Sequence, residues 1–260
     1  MSGAVFLKIL SERVMPDRRR HRGPHPEDAV LFGDPVHLHK LALAAGDLAW
    51  LLGRGYAPKA ALTLVGNRYQ LHQRQRRALA HAVASPEVAR QRGQHRITPP
   101  ALAGQRLQVD ALNQIITIEV ALAGGLLLRG HDRLWRDLAS VHGTYRTVQE
   151  THVALAAMGD YLAPLGVSEV VFLIDAAVSN AARLANHIQS LAQERRWPWR
   201  ATLASSVDAT LQHTPDVVAT SDSAILDRVS RSFNLAGTVV QQVAPSAWCV
   251  DLNIPPPVVS

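Results

Sequence analysis

The apolar positions divide the chain into two stretches with different periods. From Pro35 onward, Leu38, Leu41, Ala42, Ala45, Leu48, Ala49 and Leu52 follow a 3.6-residue repeat. This predicts an amphipathic helix that Gly53 and Gly55 stop. A second helical run covers 57–65 and breaks at Gly66 and Asn67. A third begins near Leu71, with Ala78, Leu79, Ala82 and Val83 on one side and Gln73, Arg74, Arg76 and Arg77 on the other. Two short helices joined by a Gly-containing turn, the second rich in Gln and Arg, have the outline of a helix-turn-helix. A small helical bundle with a solvated basic face has the same pattern.

Beyond residue 105 the pattern becomes an alternation of strand and helix. Short apolar runs at 106–110, 126–129, 170–174, 199–203 and 217–219 predict strands, and a further strand is expected at 238–243. Residues 113–121 fit helix or strand equally. Thr147 and Glu150 have the spacing of a capping box that opens a helix running to about Ala163. Ser179 is placed to cap a long helix carrying Leu184, Ile188 and Leu191 on one face, and another helix is expected from Asp222 to about Ser230. Continuous apolar strands alternating with helices indicate an α/β sandwich with a parallel sheet. Residues 93–104 form the break between the two parts, because Gly93, Pro99, Pro100 and Gly104 interrupt any helical period.

Charge follows the same division. The net charge of +6 combines +9 over residues 1–105 with −3 over residues 106–260. A basic first part beside a mildly acidic second part suits an anion-binding module joined to a concentration of carboxylates. Arg18, Arg19, Arg20 and Arg22 form a basic arm ahead of the helices. The single cysteine, Cys249, excludes a disulfide framework and any multi-cysteine metal site, which points to a reducing cytoplasm. No apolar run approaches the ~18 residues of a membrane span.

The acids carry the candidate chemistry. Asp110, Asp175 and Asp222 each stand at, or within three residues of, the end of an apolar strand. In a parallel sheet those positions gather at the carboxyl edge, where open α/β folds place their sites. Converging carboxylates need a cation, and hard oxygen ligands favour Mg²⁺ or Mn²⁺. The plainer role for each, and for Asp222 in particular, is a helix N-cap. Asp227 either joins the cluster or pairs with Arg228 or Arg231. Asp137 and Glu119 are possible further ligands, with a salt bridge to a neighbouring arginine the plainer role for Asp137. Asn113 and Ser179-Asn180 stand just past strand ends and suit orienting carboxylates or a phosphate, with loop and cap hydrogen bonding the plainer role.

At these residues the chain resembles known families. The stretches 21–28 (HRGPHPED), 47–56 (DLAWLLGRGY), 64–69 (LVGNRY) and 73–77 (QRQRR) resemble the DUF434 family. The stretches 109–113 (VDALN), 136–146 (RDLASVHGTYR), 174–180 (IDAAVSN) and 219–227 (ATSDSAILD) resemble its companion DUF5616. The resemblance implies a basic extension at 1–20, a helical domain at 21–97, an α/β domain at 105–245 and a tail at 246–260. More loosely, the chain is similar to PIN-like nucleases, which implies a three-layer α/β/α domain with a mainly parallel sheet. The likeness carries Asp110, Thr220 and Asp222 over as site residues, and Asp175 and Asp227 with them. The chain departs from the family pattern at Ala111-Leu112 and Ala176-Ala177, where Gly-Tyr and Arg-Pro are common.

The resulting expectation is a metal-dependent nuclease acting on RNA in preference to DNA. Asp110, Asp175 and Asp222 would be ligands to Mg²⁺ or Mn²⁺, and Asp227 a further ligand or the acceptor of the water's proton. Arg68, Arg74, Arg76 and Arg77 would hold the nucleic acid. The alternative is a non-catalytic nucleic-acid-binding protein that keeps the α/β part as a scaffold.

Overall fold

The computed structural model describes residues 21–139 and 145–253. Five helices come first: α1 (Asp28–Gly33), α2 (Pro35–Gly53), α3 (Pro58–Arg68), α4 (Gln73–Ala82) and α5 (Pro86–Gln94). Their starts follow local chemistry. Asp34 caps α2 by accepting from the Val36 amide at 2.8 Å, with Pro35 already set at a helical φ. His72 caps α4 through its ring while Gln75 reaches back to the His72 amide at 3.1 Å. Ser85 and Pro86 open α5 in the same manner.

The second part runs β1 (Arg106–Asp110), α6 (Ala111–Leu122), β2 (Leu127–Arg129), β3 (Trp135–Asp137), α7 (Glu150–Leu162), β4 (Glu169–Asp175) and α8 (Ala181–Arg195). It continues with β5 (Trp199–Ala204), α9 (Val207–Gln212), β6 (Val217–Ala219), α10 (Ser223–Leu226), α11 (Leu235–Val243) and β7 (Cys249–Asp251). Four strands form a wholly parallel sheet in the order β5-β4-β1-β6, with Asp110 opposite Leu173 and Val109 opposite Ala219. Helices cover both faces of this sheet. Val109, Phe172, Ile174 and Ala219 pack against α6, α7, α8 and α11. Val171, Leu173 and Val218 pack against α9 and α10.

A smaller sheet, β3-β2-β7, joins the two parts. Successive side chains of a strand point to opposite faces. Leu127 accordingly enters the core of the parallel sheet, while Leu128 enters the core of the helical part beside Leu41, Leu79 and Val250. Full burial of each such leucine stabilises by roughly 1.5–3 kcal/mol, so β2 binds the parts from both sides. Three further residues of the helical core (Leu126, Leu138 and Leu252) also come from beyond residue 105.

Several local expectations are corrected. Residues 238–243 are helical, not a strand, because Leu235, Ala236, Val239 and Val240 continue a helical face onto α6 and α7. The ambiguous segment at 113–121 is helix α6. Thr147 forms no capping box: Gln149 stands at the N-cap of α7 without a side-chain bond, and Glu150 bonds His21. The hydroxyl that serves this turn belongs to Thr151, which accepts from the Val148 amide at 3.0 Å. Asn180, at φ +67°, takes the N-cap position expected of Ser179. The helix after Asp222 lasts only from Ser223 to Leu226. Part of the segment expected as a tail, Cys249–Asp251, pairs with β2. Arg18, Arg19, Arg20 and the proline run at 255–257 lie outside the described residues. Arg22, expected in a basic arm, instead reaches the buried carboxylate of Glu119 at 2.5 Å. Among the described residues, no helix is long and apolar enough to cross a membrane.

Candidate functional site at the carboxyl edge

The parallel sheet turns its strand ends toward α4, and the expected acids stand along that edge. Asp110 closes β1, the strand between β4 and β6. Thr220, the first residue after β6, donates its hydroxyl to Asp110 Oδ2 at 2.9 Å. The same hydroxyl oxygen accepts from the Asp222 amide at 3.1 Å. One side chain therefore ties the Asp110 carboxylate to the backbone of Asp222. Asn113, on the first turn of α6, accepts from both the amide and the hydroxyl of Ser221 at 2.8 and 3.0 Å. Thr220 thus orients the Asp110 carboxylate, and Asn113 holds the loop at Ser221.

The electrostatics follow from this crowding. Burial, chiefly, with the charges of Asp222 and Asp208 pushes the Asp110 carboxyl up to about 7, against the pull of Thr220 and the Asn113 backbone amide. Asp208, in the first turn of α9, is raised by burial and by the charges of Asp222 and Asp175. Asp208 was missed in the sequence, although it follows β5 as the other acids follow their strands. Asp222 also caps α10, its Oδ1 accepting from the amides of Ala224 at 2.7 Å and Ile225 at 3.2 Å. Asp175 accepts from the Ala177 amide at 2.9 Å in a tight turn.

Other expected site residues are engaged elsewhere. Asp227 pairs with Arg92 at 2.8 Å, rather than with Arg228 or Arg231, the partners expected. Asn180 donates to the Tyr145 carbonyl at 2.8 Å. Glu119 is buried among Arg22, Tyr145 and Thr151, and three donors on one carboxylate make it a structural anchor. Asp137 accepts from Thr117 and the Ala139 amide instead of an arginine, and burial raises its proton affinity. Among the described residues, no group of three or more His, Cys, Asp or Glu side chains is placed to hold a metal ion.

The four candidate arginines divide similarly. Arg74 makes a two-pronged pair with the buried Asp28, at 2.5 and 2.9 Å. Arg76 donates to the Leu71 carbonyl and to Asn67, closing the turn between α3 and α4. Arg68 is exposed and lies 3.5 Å from Asp47. Arg77 stands one turn before His81 on α4. Burial, chiefly, and the charges of Arg77 and Arg136 lower the proton affinity of His81, while Asp222 raises it.

Between α4 and the carboxyl edge lies a cleft of about 420 Å³. His81 and Ala80 contribute from α4, Leu112, Asn113 and Ile116 from α6, and Arg136 and Asp137 from β3. The loop at 221–224 closes it, with Asp222 on its wall. Behind it Arg136 is locked in place: its Nε donates to the Ser221 carbonyl at 2.9 Å, and its two amino groups grip Asp132 at 2.7 and 2.6 Å. Arg92 reaches the same carboxylate at 2.8 Å, and Arg96 donates to the Asp132 carbonyl. Burial opposes the charge on Asp132, but Arg136 and Arg92 outweigh it and hold this acid down at about 2. Sequence reasoning missed this arginine cluster: Asp132 and Arg136 are only four residues apart, but that spacing signals a pair only within a helix, and Arg92 lies 40 residues away.

These features define a mixed α/β protein with a parallel sheet whose carboxyl edge faces an attached helical part across a polar cleft. The chain belongs to the family described as Domain of unknown function (DUF5616), which it matches over residues 99–238. It also matches the family described as Protein of unknown function (DUF434) over residues 40–95. It is 26% identical over 183 residues to Uncharacterized protein MJ0935 of Methanocaldococcus jannaschii, covering 70% of this chain and 87% of that protein. No solved structure matches.

Proposed function

We propose that this protein is a metal-dependent nuclease, acting on RNA in preference to DNA, with its site at the carboxyl edge of the parallel sheet. The observation that carries the reading is the link from the Asp110 carboxylate through Thr220 to the backbone of Asp222, beside a cleft that the helical part also lines. In this reading the α/β part is PIN-like. The pair α3 and α4, joined through Gln70 at φ +50°, is helix-turn-helix-like. The single Cys249 suits a reducing cytoplasm.

The donor set suits Mg²⁺ or Mn²⁺, because it is made of hard carboxylate oxygens whose charges oppose one another. Asp110 and Asp222 would hold the ion, with Asp175 and Asp208 adding negative charge at the same edge. When bound, such an ion supplies an activated water and a counter-charge for the phosphodiester. The remaining roles belong to the chain. Thr220 fixes the orientation of Asp110, Asn113 holds the loop that carries Asp222, and Arg68 and Arg77 attract the phosphate backbone. The decisive test is cleavage of labelled RNA with Mn²⁺, together with calorimetric titration of the ion. Asp222→Asn abolishes both under this reading, and Thr220→Val lowers cleavage about 10–100-fold. Equal cleavage by wild type and Asp222→Asn rejects it.

A second reading, a non-catalytic nucleic-acid-binding scaffold, draws on two observations. Asp222 already caps a helix, and no group placed to hold a metal stands among the described residues. RNA binding that weakens steeply with salt, without any heat on Mn²⁺ titration, selects this reading over the first.

A further inference from the structure

We infer that the cleft between α4 and the sheet edge is a subsite for a single nucleotide unit, with Arg136 as its phosphate-facing wall and the α6 side chains as its ring-facing wall. The assignment rests on the nucleic-acid reading above and names the unit of substrate that the site takes.

Three features of the cleft support it. Its volume of about 420 Å³ falls in the range of small-ligand pockets. Its lining is divided by chemistry: Leu112 and Ile116 stand one turn apart on α6 and make an apolar strip, while Arg136, Ser221 and Asn113 form one hydrogen-bonded polar strip. A nucleotide has the same division, an aromatic ring at one end and an anion at the other.

The third feature is the charge behind the polar strip. Arg92, Arg96 and Arg136 surround Asp132, and the remaining carboxylate in the cluster, Asp227, is half-exposed on Arg92. Arg136 is 4% exposed and its side chain is fixed by Asp132 and the Ser221 carbonyl, so little ordering is left for a ligand to impose. A buried cluster with more guanidinium than carboxylate is an anion-attracting wall. Asp222 and Asp137, on the opposite count, place two carboxylates on the same cleft, the second with its proton affinity raised by burial. A phosphate near Arg136 would therefore lie in the cleft that Asp222, one of the proposed nuclease acids, borders.

The full chain should be titrated with AMP, UMP, adenosine and inorganic phosphate by calorimetry. Ala80 is exposed on α4 at the cleft and is not itself a proposed ligand, so Ala80→Trp fills the space without disturbing the core. The expected result is binding of the nucleoside monophosphates at least tenfold tighter than adenosine or phosphate. Ala80→Trp should weaken it at least tenfold and Ala80→Ser should leave it unchanged. Equal affinity for phosphate and nucleotide would reduce the cleft to a simple anion site and overturn the inference. So would nucleotide binding that Ala80→Trp does not weaken, or its absence. Nucleotide binding of the expected pattern in a protein that neither binds Mn²⁺ nor cleaves RNA would reject the nuclease and leave this subsite standing.

Discussion

Asp110 sits where chain direction and burial conflict. The end of a central parallel strand is the one place where this carboxylate meets Thr220 and the charges of Asp222 and Asp208, and burial there raises it to about 7. Its folded value lies above the ordinary 3.8, so ionisation opposes folding. The folded protein loses stability as pH rises from about 4 to 7, and the full cost is present above that window. Asp110→Asn should therefore raise the thermal midpoint at pH 8, by roughly 1–4 kcal/mol in stability, and change it little at pH 4. Added Mn²⁺ should stabilise the wild type at pH 8 and not the variant. A variant equally stabilised at both pH values would contradict the assigned burial. That an acid closes β1 was legible in the sequence. Its proton affinity was not, because that depends on Thr220 and Asp222, more than a hundred residues away along the chain.

At the scale of elements, close packing decides what periodicity leaves open. Gly159 on α7 lies against the ring of Trp197, and a Cβ there would meet ring carbons at 2.0–2.4 Å. Backbone and ring cannot both give way in a filled core. Gly159→Ala should therefore cost about 1–3 kcal/mol in urea unfolding. Gly66 on α3 offers the contrast. A Cβ there would meet the guanidinium of Arg76, at 2.4–2.8 Å, and that flexible end can swing aside at the cost of its bonds to Leu71 and Asn67. Gly66→Ala also gains roughly 1 kcal/mol of helix propensity, so its net effect should be near zero. The sequence marks Gly66 as a helix break, whereas α3 runs on to Arg68, and it gives no mark to Gly159. The long helix α2 and the strands β1, β4, β5 and β6 were legible because each carries a complete apolar period. The segment at 238–243 was not, since a β-branched run fits either element until α6 and α7 supply its partner. Strands β3 (Trp-Arg-Asp) and β7 (Cys-Val-Asp) are as short as β6 but lack its unbroken apolar run, so nothing local marks them.

Across the whole molecule, the arginine cluster joins the helical part to the sheet edge. Arg92 leaves α5 to reach Asp132, Asp227 and Ser223. Arg92→Ala removes one of two guanidinium partners from Asp132, which Arg136 still holds, and should cost about 1–3 kcal/mol. Amide exchange should quicken in α5 and in the loop at 221–224, with the amides of β4 far less affected. Uniform acceleration across the protein would mean that the cluster stabilises the whole fold rather than this junction. The sequence by itself determined the two-part organisation, the parallel strands, the charge division and the row of acids at the strand ends. Each of these follows from local period or composition, which neighbours along the chain can encode. Tertiary structure alone decided which acids meet, which arginines are consumed in ion pairs, and that α4 closes a cleft over the sheet edge. Those outcomes depend on contacts between residues far apart in the chain, selected by packing on both faces of β2, and no local period records them.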